Sequence, residues 1–438
     1  MRVDDLILYR NFDEAALLQS IMEVMETKGE DSKFREDDRR VMYDMMSHLT
    51  EMAANSGLYG NLWKDFLTLI LVNNENAYSK SCELRGAITG TLNDIALHDI
   101  TIFKQLFDYD FTELMENIDV HDFSYVLNYQ NDTGEKSIYN KSIKNRIMEL
   151  ADSMSEAADA EEMKASLTLF YKEYGVGKLG LHKAFRIKEG TDKETVIQPI
   201  SNIRNVYLDD LVGYEIAKKK LIDNTEAFVE GRVANNCLLY GDAGTGKSSC
   251  IKAIANQYFD RGLRIIEVYK HQFQRLNDVI EQIKGRNYKF IICLDDLSFE
   301  EFEIEYKYLK AIIEGGLEKK PENVLIYATS NRRHLIKESF KDKPSILDDD
   351  IHRNDTVQEK LSLANRFGVT IYFGSPTPLE FKNIVKTLAD RNNIRMPEEE
   401  LYLEANKWEM AHGGLSGRTA DQFIKYLIGT GRAGSELN

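Results

Sequence analysis

The octapeptide Gly241-Asp242-Ala243-Gly244-Thr245-Gly246-Lys247-Ser248 constrains this chain more than any other stretch. It fits the spacing G-x-x-x-x-G-K-[ST] at every fixed position. In that pattern the glycines let successive backbone N–H groups turn inward around an anion, and the following helix adds the positive end of its dipole. Gly241, Asp242, Ala243, Gly244, Thr245 and Gly246 would then form the cradle, with Ser248 and Ser249 opening the helix. Lys247 would reach the β- and γ-phosphates of a nucleotide, and the Ser248 hydroxyl is the hard oxygen donor that Mg²⁺ prefers. A glycine-rich surface turn is the competing explanation. The flanks decide against it: Cys237-Leu238-Leu239-Tyr240 is a short apolar run suited to a buried strand, and Ile251, Ile254, Ala255 and Tyr258 follow at helical spacing.

A chain of 438 residues predicts two to four domains, each able to bury a core. With 43% hydrophobic residues, only 6 prolines and no polar low-complexity tract, disorder is not expected. The formal charge of -16 repels nucleic acid at long range, so nucleic acid is not the favoured partner, although a local basic groove would escape that argument. The start, Met1-Arg2-Val3-Asp4-Asp5, lacks the pattern of a secretion signal, and apolar runs such as residues 66–72 are too short to span a bilayer. These features predict a cytoplasmic protein without membrane segments. The four cysteines, Cys82, Cys237, Cys250 and Cys293, have no metal-ligand spacing and are expected to be reduced and structural.

Residues 1–165 are expected to be mainly helical. Leu17, Leu18, Ile21, Met22 and Met25 share one helical face, and Val41, Met42, Met45, Met46, Leu49 and Met52 share another. Such stripes pack against other helices more often than they form adaptable methionine-rich grooves for partners. His48, His98 and His121 show no recurring partner pattern. Gly175-Val176-Gly177-Lys178-Leu179-Gly180 spells the G-x-G-x-x-G of dinucleotide sites, but the residues before it suggest a helix ending at Gly175 where the fingerprint needs a strand. It is expected to be a loop, with residues 166–204 as a linker.

Beyond the phosphate loop, strands are expected at 264–269, 289–294, 323–329 and 369–373, with helices at 271–284 and 302–314 between them. The second of these strands ends in Asp295-Asp296. In phosphate-loop enzymes the strand beside the loop brings its terminal Asp to the magnesium shell, a role Asp295 is placed to fill; a helix-capping Asp pair is the alternative. Strands alternating with helices build a parallel sheet whose ligand crevice lies at the carboxyl ends, where the loop, Asp295 and Asn331 all fall. Helices at 379–392, 397–411 and 418–428 complete the chain.

The set Gly241 to Ser248, Leu294-Asp295-Asp296, Thr329-Ser330-Asn331, Asn365-Arg366-Phe367 and Ser416-Gly417-Arg418 resembles an AAA+ ATPase over about half of the chain. More narrowly, Asp295-Asp296-Leu297-Ser298-Phe299-Glu300, Ser330-Asn331-Arg332-Arg333-His334-Leu335 and the residues around the loop resemble the bacterial domain-of-unknown-function 815 family. The fold so implied is α/β: a P-loop AAA+ parallel-sheet core at 205–375, a C-terminal helical lid at 376–438 and a separate, mainly helical N-terminal domain. The resemblance implies ATP and Mg²⁺ as ligands, with Ser248 and Asp295 at the metal. It assigns Asp296 and Asn331 to the attacking water, Arg366 to the γ-phosphate of a neighbouring subunit and Arg418 to its own. Val212 and Gly213, within Leu211-Val212-Gly213-Tyr214, fall where the adenine lies. For each arginine a surface salt bridge is the competing role.

Two departures from the family pattern bear on function. Asp296 stands where Glu is usual, so the candidate base is one methylene shorter, and no room follows the strand near Tyr269 for the aromatic pore loop of protein unfoldases. The expected function is ATP hydrolysis that rearranges a homo-oligomer and an unknown protein partner held by the helical N-terminal domain. The alternative is a non-enzymatic switch or adaptor that binds ATP. A GTPase is a weaker third reading, because Asn331-Arg332-Arg333-His334 lacks the guanine-reading Asp.

Overall fold

A computed structural model of the chain describes residues 2–26, 36–131, 141–190, 192–200, 203, 206–299, 305–314, 321–331 and 363–431. Glu300, Arg332, Arg333, His334 and Leu335, singled out above, lie outside the described residues. The chain divides into two compact units, Met1–His182 with Pro199–Asn202, and Lys183–Gln198 with Ile203–Asn438.

The first unit is built of helices, among them Ala15–Glu26, Glu36–Ser56, Leu62–Asn73, Thr91–Phe107, Lys141–Glu156 and Ala160–Tyr174. The two methionine-containing stripes face inward: Leu18, Ile21, Met22, Met42, Met45 and Leu49 are buried in one core with Trp63, Phe66 and Phe103. Asn61 caps the third of these helices by accepting from Lys64 N–H, as a short side-chain oxygen does at a helix start. The last ends at Gly175, whose φ of 79° suits a residue without Cβ. A helix, where the fingerprint needs a strand, directly precedes the G-x-G-x-x-G sequence, in keeping with its rejection as a dinucleotide site.

In the second unit seven strands form one sheet: β1 (Ala184–Glu189), β2 (Thr195–Pro199), β3 (Cys237–Gly241), β4 (Leu263–Glu267), β5 (Lys289–Leu294), β6 (Val324–Ser330) and β7 (Val369–Phe373). Their spatial order is β2-β1-β4-β5-β6-β3-β7. The pairs from β1 through β7 are parallel. Every residue of β6 is buried, as expected for a strand covered on both faces. Because β3 lies between β6 and β7, with β5 one strand further on, the carboxyl ends of β3, β5 and β6 open at one edge of the sheet.

The stretch 166–204, expected to be a linker, is instead structured over most of its length. It holds the end of the helix Ala160–Tyr174, a short helix Gly177–Leu181, and strands β1 and β2. The physical reason is that β1 and β2 extend the sheet beyond β4, where alternating exposure (Arg186, Lys188 and Glu189 outward) gives a polar, loop-like sequence. After β7 come the helices Pro378–Arg391, Glu398–Ala411 and Gly417–Gly429, which share their own core of Phe381, Val385, Ala405, Ala420 and Phe423. The fold class is the expected one: a parallel-sheet α/β core, a helical lid and a separate helical N-terminal region.

Candidate nucleotide-binding site

The phosphate loop leaves β3 through Gly241, whose φ is 136°. A Cβ there would stand 2.0 Å from the Phe373 carbonyl oxygen at the end of β7, so only glycine allows the two strand ends to approach this closely. Gly244 and Gly246, at φ 77° and 95°, complete the turn into the helix Lys247–Tyr258. The Thr245 hydroxyl donates to Asp242 O at 2.8 Å. Lys247 Nζ lies back across the loop, donating to Gly241 O at 2.8 Å and Asp242 O at 2.6 Å. Burial lowers the Lys247 pKa, opposed by the facing carboxylates of Asp242, Asp296 and Asp295.

At the helix start the Ser248 hydroxyl donates to Asp295 Oδ1 at 2.5 Å. The parallel register Leu294↔Ala328 sets the end of β5 beside β6. There Thr329 Oγ1 donates to the same Asp295 Oδ1 at 2.5 Å and accepts from Asp296 N–H at 2.9 Å. Asp296 adopts φ 53°, a left-handed turn that Asp tolerates better than most residues. Asn331 Nδ2 donates to Asp296 Oδ1 at 2.9 Å. Thus Ser248, Asp295, Asp296 and Asn331, distant in sequence, meet at the mouth of the loop. A serine hydroxyl beside a carboxylate is a hard-oxygen donor set that fits Mg²⁺. Thr329, which organises both aspartates, was given no role of its own by the sequence; its place next to last in a strand buried throughout was the available signal.

A cavity of ≈ 720 Å³ adjoins the loop. The phosphate-loop residues Ala243 to Ser249 line it, with Asp295, Asp296, Thr329 and Asn331 nearby. Val206, Leu211, Val212, Tyr214, Ile384 and Leu388 add apolar surface to the lining, beside Asp210, Lys218 and Asp421. Gly213 turns the chain beside Val212 at φ 83° but is not part of the wall, and neither are Gly241 and Asp242. Arg418 lines the cavity from the lid, where its N–H donates to Gly244 O at 3.1 Å. Arg391 also belongs to the wall and donates to Asp209 O and Asp210 O at 2.7 and 2.8 Å. Arg366 is half-buried in the turn before β7 and is not among the residues lining the cavity.

Where the loop meets the lid, the Asp242 carboxylate accepts from both Ser375 N–H and the Ser375 hydroxyl, at 2.8 and 2.9 Å. Those hydrogen bonds lower its pKa. Tyr214 packs its ring on Phe373, with centroids 5.4 Å apart, and its buried hydroxyl has no hydrogen-bond partner. Burial, with a smaller effect of the Glu380 and Asp242 carboxylates, pushes its pKa up to about 12.

A family model described as "Protein of unknown function (DUF815)" matches residues 180–431. The chain is 39% identical over 71 residues to the replication factor C large subunit of Staphylothermus marinus, covering 16% of each chain. To that of Aeropyrum pernix it is 38% identical over 80 residues, 18% of this chain and 16% of the relative. It thus spans about a sixth of the length of these curated relatives. Among solved structures, the Thermotoga maritima RuvB Holliday junction branch migration motor aligns with 52% of this chain and 65% of its own, at 18% identity and a TM-score of 0.37. No helix among the described residues is long and apolar enough to cross a membrane.

Proposed function

The chain belongs to the family described as protein of unknown function (DUF815), its core is of the AAA+ P-loop class, and on that premise we propose that it binds ATP with Mg²⁺ and hydrolyses it to ADP and phosphate. The observation that carries this reading is the convergence of Ser248 and Asp295, at 2.5 Å, on the mouth of the phosphate loop, with Asn331 bonded to Asp296 beside them. Phosphate-loop amides and Lys247 would hold the triphosphate, and the apolar surface around Val212 and Ile384 would receive the base. Ser248 and Asp295 would hold Mg²⁺, which when bound neutralises charge on the β- and γ-phosphates. Asp296, oriented by Asn331, would accept a proton from the attacking water. Arg418 would act on the phosphates of its own subunit.

Arg366, away from the cavity wall, is read as serving the site of a neighbouring copy in a homo-oligomer, with the helical N-terminal unit as the holder of a protein partner. The relatives named as replication factor C large subunits suggest a nucleic-acid setting, against which the net charge of -16 weighs. A cytoplasmic location accords with these roles. Steady-state phosphate release with ATP and Mg²⁺ tests the reading: turnover that vanishes in Lys247→Ala supports hydrolysis. Tight ATP binding without turnover at any protein concentration would favour the non-enzymatic switch.

A further inference from the structure

Asp242 touches both Lys247 and the approach to the lid. Its backbone carbonyl accepts from Lys247 Nζ, and its carboxylate holds both donors of Ser375. Ser375 lies between β7 and the lid helix Pro378–Arg391. The preceding peptide is pinned as well, since Asp242 N–H donates to Phe373 O at 3.0 Å. With no space for even a Cβ between Gly241 and Phe373, a displacement of the loop here cannot be absorbed by slack between the strands.

We propose that Asp242 is a positioning residue that sets the lid according to what Lys247 binds. This rests on the reading of the loop as an ATP site and adds to it a route from the phosphates to the lid. A polyphosphate is a far stronger acceptor for the Lys247 ammonium than two neutral carbonyls. When Nζ turns to the phosphate, the peptides on either side of Asp242 each lose a bond to that ammonium and shift. The Asp242 carboxylate then carries Ser375, and with it the start of the lid, in the same direction. Tyr214 stands at this junction with its ring packed on Phe373, centroids 5.4 Å apart. The route needs no contact between ligand and Ser375, which lies outside the cavity wall.

The experiment compares wild type, Ser375→Ala and Ser375→Thr in the full chain. Hydrogen exchange of the lid amides over 376–391 is followed with and without ATP and Mg²⁺, and ATP affinity is measured by calorimetry. Ser375 is exposed, so Ser375→Ala should fold normally. In wild type ATP should slow exchange in this segment by at least about fivefold. Ser375→Ala loses one of the two bonds to a charged acceptor and should retain less than about half of that slowing, with the ATP dissociation constant changed by less than about threefold. Ser375→Thr, which keeps both donors, should restore the response. A purely structural serine would shift the exchange of the free and ATP-bound chains alike. An undiminished response in Ser375→Ala would overturn the coupling while leaving ATP binding intact. A wild type that bound no ATP would instead overturn the function on which the coupling rests.

Discussion

Thr329 holds Asp295: its hydroxyl donates to Asp295 Oδ1 at 2.5 Å, and the same oxygen accepts the Asp296 N–H at 2.9 Å. One side chain at the end of β6 therefore orients both carboxylates at the end of β5. Thr329→Val keeps the shape and removes both bonds, leaving the Asp296 N–H without this acceptor. Stability should fall by about 1–2 kcal/mol, read from urea melts. Turnover should drop about tenfold or more with ATP affinity largely kept. An unchanged rate would show that Thr329 is dispensable for placing the carboxylates.

Lys247→Ala deletes the one cation that the loop itself supplies. ATP affinity should weaken by about 10²-fold or more, as expected on losing charge-assisted bonds to phosphate, while far-UV circular dichroism remains that of the folded chain. Calorimetry with ATP and Mg²⁺ reads the result. Unchanged affinity in a folded variant would remove the loop from the site.

Asp295→Asn and Asp296→Asn should separate two roles. The first should abolish Mg²⁺-dependent turnover, since an amide is a poor substitute for a carboxylate at a hard cation. The second should keep ATP binding and slow phosphate release by about 10² or more, as for loss of a proton acceptor. Wild-type turnover in Asp296→Asn would move that role to another residue.

If Arg366 serves a neighbouring copy, turnover per subunit should rise with protein concentration. An arginine supplied in trans is worth about 10³ to 10⁵ in rate in P-loop enzymes. Arg366→Ala should bind ATP and fail to hydrolyse it. Mixed with Lys247→Ala, it should recover partial activity, because a subunit with an intact pocket then meets a neighbour with an intact arginine. A fully active, strictly monomeric wild type would refute the arrangement.

In the N-terminal unit, Asp65 is buried with Oδ2 unpartnered. Burial, then the Asp152 carboxylate, raises its pKa from 3.8 to about 7. The folded chain thus holds a proton that the unfolded chain releases, so this contribution to stability is full below about pH 4 and is lost as pH rises to about 7. Its loss is worth a few kcal/mol, roughly 2 to 4. Thermal melts of Asp65→Asn at pH 5 and pH 8 should show a smaller difference than wild type. An identical pH dependence in both would mean that Asp65 does not titrate in this window.

What could be read from the chain alone is what depends on near neighbours. The phosphate loop occupies eight consecutive residues, and its glycines, lysine and serine act through backbone geometry that a short segment determines. The helical stripes of Leu18, Met22, Met42 and Met45 and the buried runs of β5 and β6 were equally legible, because burial of one face or both imposes its own periodicity. The edge pair β1 and β2 was not: alternate residues of β1 meet solvent, so its alternation of Phe185 and Ile187 with Arg186 and Lys188 resembles a polar connector. Tertiary structure alone decided the contacts between strand ends. The pairing of Asp242 with Ser375 and of Thr329 with Asp295 depends on which strand lies beside which. Crossover connections leave no short-range pattern for such partners, since what joins them is the packing of the whole sheet or bundle between them.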